Sequence, residues 1–224
     1  MRILCIADLH GDREAVDRLS SSLTGKGFDY VFMMGDYSRG FKDAVENNHD
    51  VIYMLESFKG YEVRALPGNC DQKDVVDLFA KKGVNFHKTV IKAGGAVLIG
   101  LGGSNPTPFG TPFELSEEEI YSSLKDMFES VKGDGRPFVL FTHFPPKDTD
   151  CDEIPGKLHV GSTSLRRIIE EYGPKIALCS HIHESGGRQD NIGDTTVYNV
   201  GRISDGRALV LEISNEITVK PYVG

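Results

Sequence analysis

Five short apolar runs in this chain each end on side chains of types that can ligate metal ions, and this pattern restricts the fold more than any other feature. Ile3–Ala7 is followed by Asp8 and His10, Tyr30–Met34 by Gly35-Asp36, and Val63–Leu66 by Pro67-Gly68-Asn69. Phe138–Phe141 leads into Thr142-His143, and Ile176–Cys179 into Ser180-His181-Ile182-His183. Short apolar runs alternating with helical patterns imply a parallel sheet with helices packed on it. In open α/β sheets the carboxyl ends of the strands share an edge, and ligands bind there. Separate segments therefore deliver Asp, His, Asp, Asn, His, His and His to one place.

The intervening segments fit that frame. Arg13–Lys26 has helical spacing through Val16, Leu19 and Leu23, and Asp43–Phe58 places Val45, Ile52 and Leu55 on one face. Lys73–Lys82 reads as a third helix stopped by Gly83, and Ser116-Glu-Glu-Glu119 is a capping box for a helix to about Val131. Ala96–Leu101 is a strand followed by a turn-rich loop, Phe144–Gly161 a long polar loop and Ser162–Tyr172 a helix. From Thr195 onward the pattern is short strands, Thr195–Val200, Arg207–Ile213 and Glu216–Tyr222, expected to be antiparallel. No repeat or linker interrupts the 224 residues, so a single α/β domain over 1–224 is expected.

The spacing suits metal chemistry. In extended backbone, residues i and i+2 point the same way, so Asp8 with His10, and His181 with His183, can each face one centre or two neighbouring ones. Gly35 and Gly68 let the backbone turn tightly at the site. Carboxylate, imidazole and amide donors suit manganese, iron, nickel, cobalt or zinc better than a thiolate-preferring ion. Seven donors exceed the four of one tetrahedral zinc, which points to two divalent ions, with Asp36 as the bridge. Two such ions ~3.5–4 Å apart can share a hydroxide and clamp both oxygens of an in-line phosphoryl displacement. Each motif alone is weak, since Asp-x-His, His-x-His and Gly-Asn all occur in ordinary turns and strands. Their joint placement at strand ends carries the inference.

Charge and cysteine usage narrow the function further. A net charge of −8 disfavours broad, non-specific nucleic-acid binding. Two dications against two carboxylates and a hydroxide still leave the centre at roughly +1, enough to attract phosphate locally. The four cysteines form no Cys-x-x-Cys pair, and Cys5 and Cys179 read as small buried side chains. No run is long enough for a membrane span and the start lacks a signal-peptide pattern, so a cytoplasmic address is expected.

Asp8-Leu9-His10, Gly35-Asp36, Gly68-Asn69, His143 and His181-Ile182-His183 resemble, in order and over nearly the whole chain, the motifs of calcineurin-like metallophosphoesterases. The resemblance implies a four-layer α-β-β-α sandwich, two mixed sheets flanked by helices, with a dinuclear site. One ion would take Asp8, His10, Asp36 and His183, the other Asp36, Asn69, His143 and His181. Manganese is the first choice of metal. Larger enzymes of the family carry a His after Gly-Asn that assists the leaving oxygen; here Cys70 stands there, as in similar small prokaryotic phosphodiesterases. A thiol donates weakly, so Cys70 is expected to tune the site toward esters whose leaving group needs no proton.

The implied activity is hydrolysis of a small phosphate ester, a diester in preference to a monoester. Asn69, His143 and Cys70 stand at the reacting group. Arg39 and His159 are candidates to touch substrate, with a solvated loop charge and a structural imidazole as the plain alternatives. His49 and His87 read as ordinary surface residues. A non-catalytic interaction scaffold that keeps this fold is the rival reading, and a homo-oligomer is left open.

Overall fold

The computed structural model describes residues 1–38 and 43–223. Arg39 therefore lies outside the described residues. In chain order the elements are β1 (Arg2–Ile6), α1 (Arg13–Ser22), β2 (Tyr30–Met34), α2 (Ala44–Ser57), β3 (Glu62–Leu66), α3 (Val75–Lys82) and β4 (Thr89–Ala93). There follow β5 (Ala96–Leu101), α4 (Glu117–Ser130), β6 (Phe138–Thr142), β7 (Glu153–Ile154), β8 (Leu158–His159) and α5 (Thr163–Tyr172). The chain ends with β9 (Ile176–Cys179), β10 (Gln189–Ile192), β11 (Thr195–Asn199), β12 (Leu209–Ile213) and β13 (Ile217–Pro221).

Two mixed sheets result, ordered β13-β12-β1-β2-β3 and β10-β11-β9-β6-β5-β4. Period-two alternation explains how they stack. In β1, Leu4 and Ile6 join the core beneath α1–α3, while Ile3 and Cys5 face the other sheet. In β5, Val97, Ile99 and Leu101 pack under α4 and α5, while Leu98 faces inward. Both faces of each central strand are thus buried, which is why these strands read as continuous apolar runs. The expected α-β-β-α layering is present, and Phe32, Phe86 and Phe141 stack between the sheets with ring centroids 5.0–5.5 Å apart. Cys5 and Cys179 are buried as expected.

Several local expectations need correction. Val45 is 64% exposed; the buried stripe of α2 is Asn47, Val51, Met54 and Leu55. Asn47 belongs to it because its Oδ1 accepts the buried Ser38 hydroxyl at 3.0 Å, so a polar residue on the inner face disguised the pattern. α1 stops at Ser22, four residues early, after three serines of poor helix propensity. The tail is not uniformly antiparallel. β11 runs parallel to β9 in one sheet, whereas β12 and β13 cross to the other and pair antiparallel beside β1. The edge strands β4 and β10 and the small β7–β8 hairpin carry mixed polar sequences, too weak in alternation to predict.

His87 is not a surface residue. It is 7% exposed, and its Nδ1 accepts the Gly102 N–H at 3.0 Å while the neighbouring Gly103 N–H donates to Pro67 C=O at 2.8 Å. The end of β5 is thereby tied to the turn after β3. Burial, reinforced by Lys88, pushes the His87 pKa down to about 4. Between pH 4 and 6.5 the unfolded chain binds a proton that the folded one rejects, so stability rises with pH across that window. The contribution is about 3 kcal/mol, present above pH 6.5 and lost as the pH falls to 4. Urea unfolding should show this slope in the native protein and a flatter one in His87→Gln; parallel curves would refute it.

Candidate metal centre

The strand ends of both sheets meet at one edge, and each inward-facing donor is held by backbone geometry. Asp8, His10, Asp36 and His181 all adopt left-handed φ values of 45–70°, which non-glycine residues seldom do. Their clustering here is backbone strain concentrated at a site. It also corrects the expected reason for convergence: Asp8 and His10 do not share a direction through extended backbone. They sit on a turn whose N–H groups donate to Gly35 and Asp36 carbonyls at 3.1 and 2.7 Å. Gly35 (φ 100°) and Gly68 are required by close approach, since a Cβ on Gly68 would overlap Asp36 Oδ1 and one on Gly35 would overlap Gly68 N.

The predicted donors come together in two adjacent groups. Ligand atoms of Asp8, His10 and His183 lie within 4.8 Å of one another, as do those of Asp36, His143 and His181. A third such group contains His10, Asp36 and Cys70. His10 Nε2 lies 3.2 Å from His183 Nε2 and 3.6 Å from Asp36 Oδ2. His143 Nε2 lies 3.5 Å from Asp36 Oδ2 and 3.1 Å from Asn69 Oδ1. The Nδ1–H groups of His10 and His143 point to the backbone carbonyls of Ser38 (3.3 Å) and Met34 (2.7 Å), which aims both Nε2 atoms inward. Asp36 stands between the groups. His181 and His183 divide, one to each.

Electrostatics and hydrogen-bond satisfaction show that the residues fit cations. Asp8 Oδ1 is buried without a hydrogen-bond partner among the described residues, an orphan that a bound ion would satisfy. Burial alone would raise the Asp8 pKa, but the His183 imidazole 3.5 Å from Oδ1 and the charges of His143 and His183 hold it down at about 2. Asp36 is likewise pushed well below the carboxylate range, burial being outweighed by His143, His10 and His181. His143 is raised to about 9 against its own burial, because Asp36 and Asp8 face it. Burial and the neighbouring His143 drive His181 down to about 4. Two buried carboxylates facing several imidazoles form a hard, oxygen- and nitrogen-rich donor set suited to first-row divalent ions.

Supporting residues that the sequence reading left without a role are now visible. Asp71 is fully buried; its Oδ2 accepts the N–H groups of Asp36 (2.9 Å) and Gly68 (2.8 Å), and its Oδ1 that of Tyr37 (3.0 Å). It locks the turns after β2 and β3 together. Burial and the charge of Asp36 raise its pKa to about 7. The Ser180 hydroxyl donates to Asp8 Oδ2. Asn199, at the end of β11, donates to Ile182 C=O at 3.0 Å and so holds the His-x-His turn. Polar residues at further strand ends were the available signal, but only contact reveals the partner.

Cys70 lies beside the centre: its N–H donates to Asp36 Oδ1 at 2.9 Å and its Sγ accepts from Asn69 Nδ2 at 3.6 Å. Burial and nearby Asp36 push the thiol pKa up strongly. His159 is in none of the three donor groups; its Nδ1 contacts Asp152 Oδ1 at 2.7 Å, within the loop that Asp152 organises by accepting the Thr149 and Gly161 N–H groups. His49 is exposed.

Comparison with known proteins agrees with this geometry. Residues 1–185 match the family model described as calcineurin-like phosphoesterase. An uncharacterized protein of Methanocaldococcus jannaschii is 37% identical over 204 residues, covering 89% of this chain and 87% of that one. Among solved structures, a dimetal phosphatase from Danio rerio superposes with a TM-score of 0.72 at 9% identity, covering 99% of this chain and 95% of that one. A protein of Thermus thermophilus gives 0.70 at 17% identity over 98% of both chains. At those identities the structures speak for the fold, and the sequence match over most of the chain speaks for descent: the protein belongs to the calcineurin-like phosphoesterase family.

Proposed function

We propose that the protein is a dinuclear metal-dependent phosphodiesterase acting on a small phosphate ester, with residues 1–224 as one catalytic domain. The coarser part, a metal-dependent phosphoester hydrolase, follows from the family. Asp8, His10, Asp36 and His183 would hold one cation and Asp36, Asn69, His143 and His181 the other, manganese being the first choice. Such ions, when bound, supply a hydroxide-strength nucleophile at neutral pH and neutralise charge on the phosphoryl oxygens. The convergence of seven donors from two sheets, with Asp8 Oδ1 left orphaned, is the observation that carries this reading.

The chain's own groups then have defined work. Nδ1 contacts with Ser38 and Met34 orient His10 and His143 before any ligand arrives, so little reorganisation remains. Cys70, a thiol kept protonated beside Asp36, donates weakly and supports esters with good leaving groups; this is the basis for preferring diesters. Arg39 and His159 complete the proposal as substrate contacts, and a cytoplasmic location is its cellular part. Among the described residues no helix is long and apolar enough to cross a membrane.

Manganese-loaded protein should hydrolyse bis(p-nitrophenyl) phosphate well above p-nitrophenyl phosphate. Equal or reversed rates would remove the diester preference. Absence of turnover with either ester, with metal shown bound by elemental analysis, would remove the catalytic reading.

A further inference from the structure

On the His10–His183 side of the centre the surface opens into a cavity of about 370 Å³, lined by Leu9, His10, Asp12, His183, Arg202 and Ser204. That volume accommodates an organic substituent as well as a phosphoryl oxygen. Arg202 is the permanently charged group in its wall. Backbone pairing puts it there: Ala7 and Arg202 form a parallel bridge, and the Ile203 N–H donates to Ala7 C=O at 3.3 Å. The Arg202 backbone is therefore anchored beside the strand end that carries Asp8, and its side chain shares the cavity wall with His183.

Its hydrogen bonding is incomplete. Arg202 Nη2 donates to Asp205 Oδ1 at 2.9 Å, while the buried Nε–H has no acceptor among the described residues. An unpartnered buried donor is costly and leaves Arg202 under-bonded, while the exposed part of its guanidinium can turn its fork to an anion in the cavity. The pair with Asp205 is half-exposed, 38% and 36% by side chain, and so holds the guanidinium weakly. Asp12 competes little, because its carboxylate accepts the Ala15 N–H at 3.0 Å as the cap of α1.

We propose that Arg202, with Ser204 at the cavity rim, binds a second phosphate carried on one arm of the substrate while the scissile phosphoryl group occupies the neighbouring donor cluster. This rests on the phosphoester-hydrolase reading and narrows its substrate class to diesters bearing an additional terminal phosphate. The dinucleotide adenylyl-adenosine, with and without a 5′-phosphate, supplies a matched pair of probes. Each is titrated calorimetrically into the metal-loaded protein and used as a competitor of bis(p-nitrophenyl) phosphate hydrolysis.

The phosphorylated probe should bind about tenfold or more tightly than its partner. Arg202→Ala should abolish that difference, shift the unphosphorylated probe less than about twofold, and leave metal content unchanged. Arg202→Lys, which keeps charge but not the planar fork, should fall between them. Equal binding of both probes to the native protein, equal weakening of both by Arg202→Ala, or survival of the preference in that variant would each overturn the proposal. If Arg202→Ala does not fold, Arg202→Gln reads the same difference. A calorimetric preference without hydrolysis would sink the catalytic reading and spare the subsite; hydrolysis without preference would do the reverse.

Discussion

Asp36→Asn is expected to reduce kcat/KM on a diester by about 10³-fold and to lower the bound metal from two ions per chain toward one. Asp36 stands between the two groups and is the ligand proposed to be shared, facing His10 Nε2 at 3.6 Å and His143 Nε2 at 3.5 Å. Losing its negative charge removes several kcal/mol of charge complementarity from the proposed two-cation site, and each 1.36 kcal/mol is a factor of ten in rate. The fold should survive. Asn keeps an oxygen for the Cys70 N–H, now at 2.9 Å, and the Asp36 N–H still reaches Asp71. Elemental analysis and steady-state rates on the same sample check the prediction. Native metal content with native turnover would rule out Asp36 as a shared ligand.

Asp71→Ala should be felt in both stability and metal affinity, though Asp71 is in none of the donor groups. Its removal leaves three backbone N–H groups, those of Asp36, Tyr37 and Gly68, without their acceptor. At roughly 1–3 kcal/mol for each unsatisfied buried group, with partial relaxation, destabilisation should be about 3 kcal/mol or more. The turns carrying Asp36 and Asn69 would then be free to separate, and metal affinity should fall about 10–100-fold, as for other groups that orient ligands. Asp71→Asn keeps one acceptor oxygen and should lie between the two. Urea unfolding of the metal-free protein separates the first effect from calorimetric metal titration, which measures the second. A variant as stable as the native protein, or one binding metal equally well, would show that Asp71 does not clamp the two turns.

Both predictions concern residues that follow strand ends, yet they differ in how far they could be foreseen. Asp36 follows an apolar run and a glycine, and its chemistry is stated by its own neighbours in the chain. Asp71 sits in the same kind of stretch, but its partners Asp36 and Tyr37 are more than thirty residues away. Its role exists only once β2 and β3 lie side by side. Arg202 shows the same limit more strongly. Nothing local distinguishes it from a solvated arginine until Ala7 is found beside it.

The periodic elements were legible for a related reason. Central strands such as β1 and β6 are buried on both faces, and Ser116 and Glu119 form the expected reciprocal cap on α4. Edge strands β4 and β10 were not, because half-exposed sequence loses the alternation that marks a strand. His87 shows why an isolated polar residue misleads: its burial depends on Gly102, fifteen residues on, presenting an N–H that no local pattern records.

Local chemistry along the chain was sufficient to single out seven candidate donors that converge and the apolar strands they terminate, because backbone period and side-chain type are properties of neighbouring residues. Only the packed molecule decided that the donors divide between two sheets, that left-handed backbone rather than extended strand aims Asp8 and His10, and that Asp71, Ser180 and Asn199 hold them. Those outcomes depend on hydrogen bonds between segments far apart in sequence, whose energies arise only when burial withdraws both partners from water.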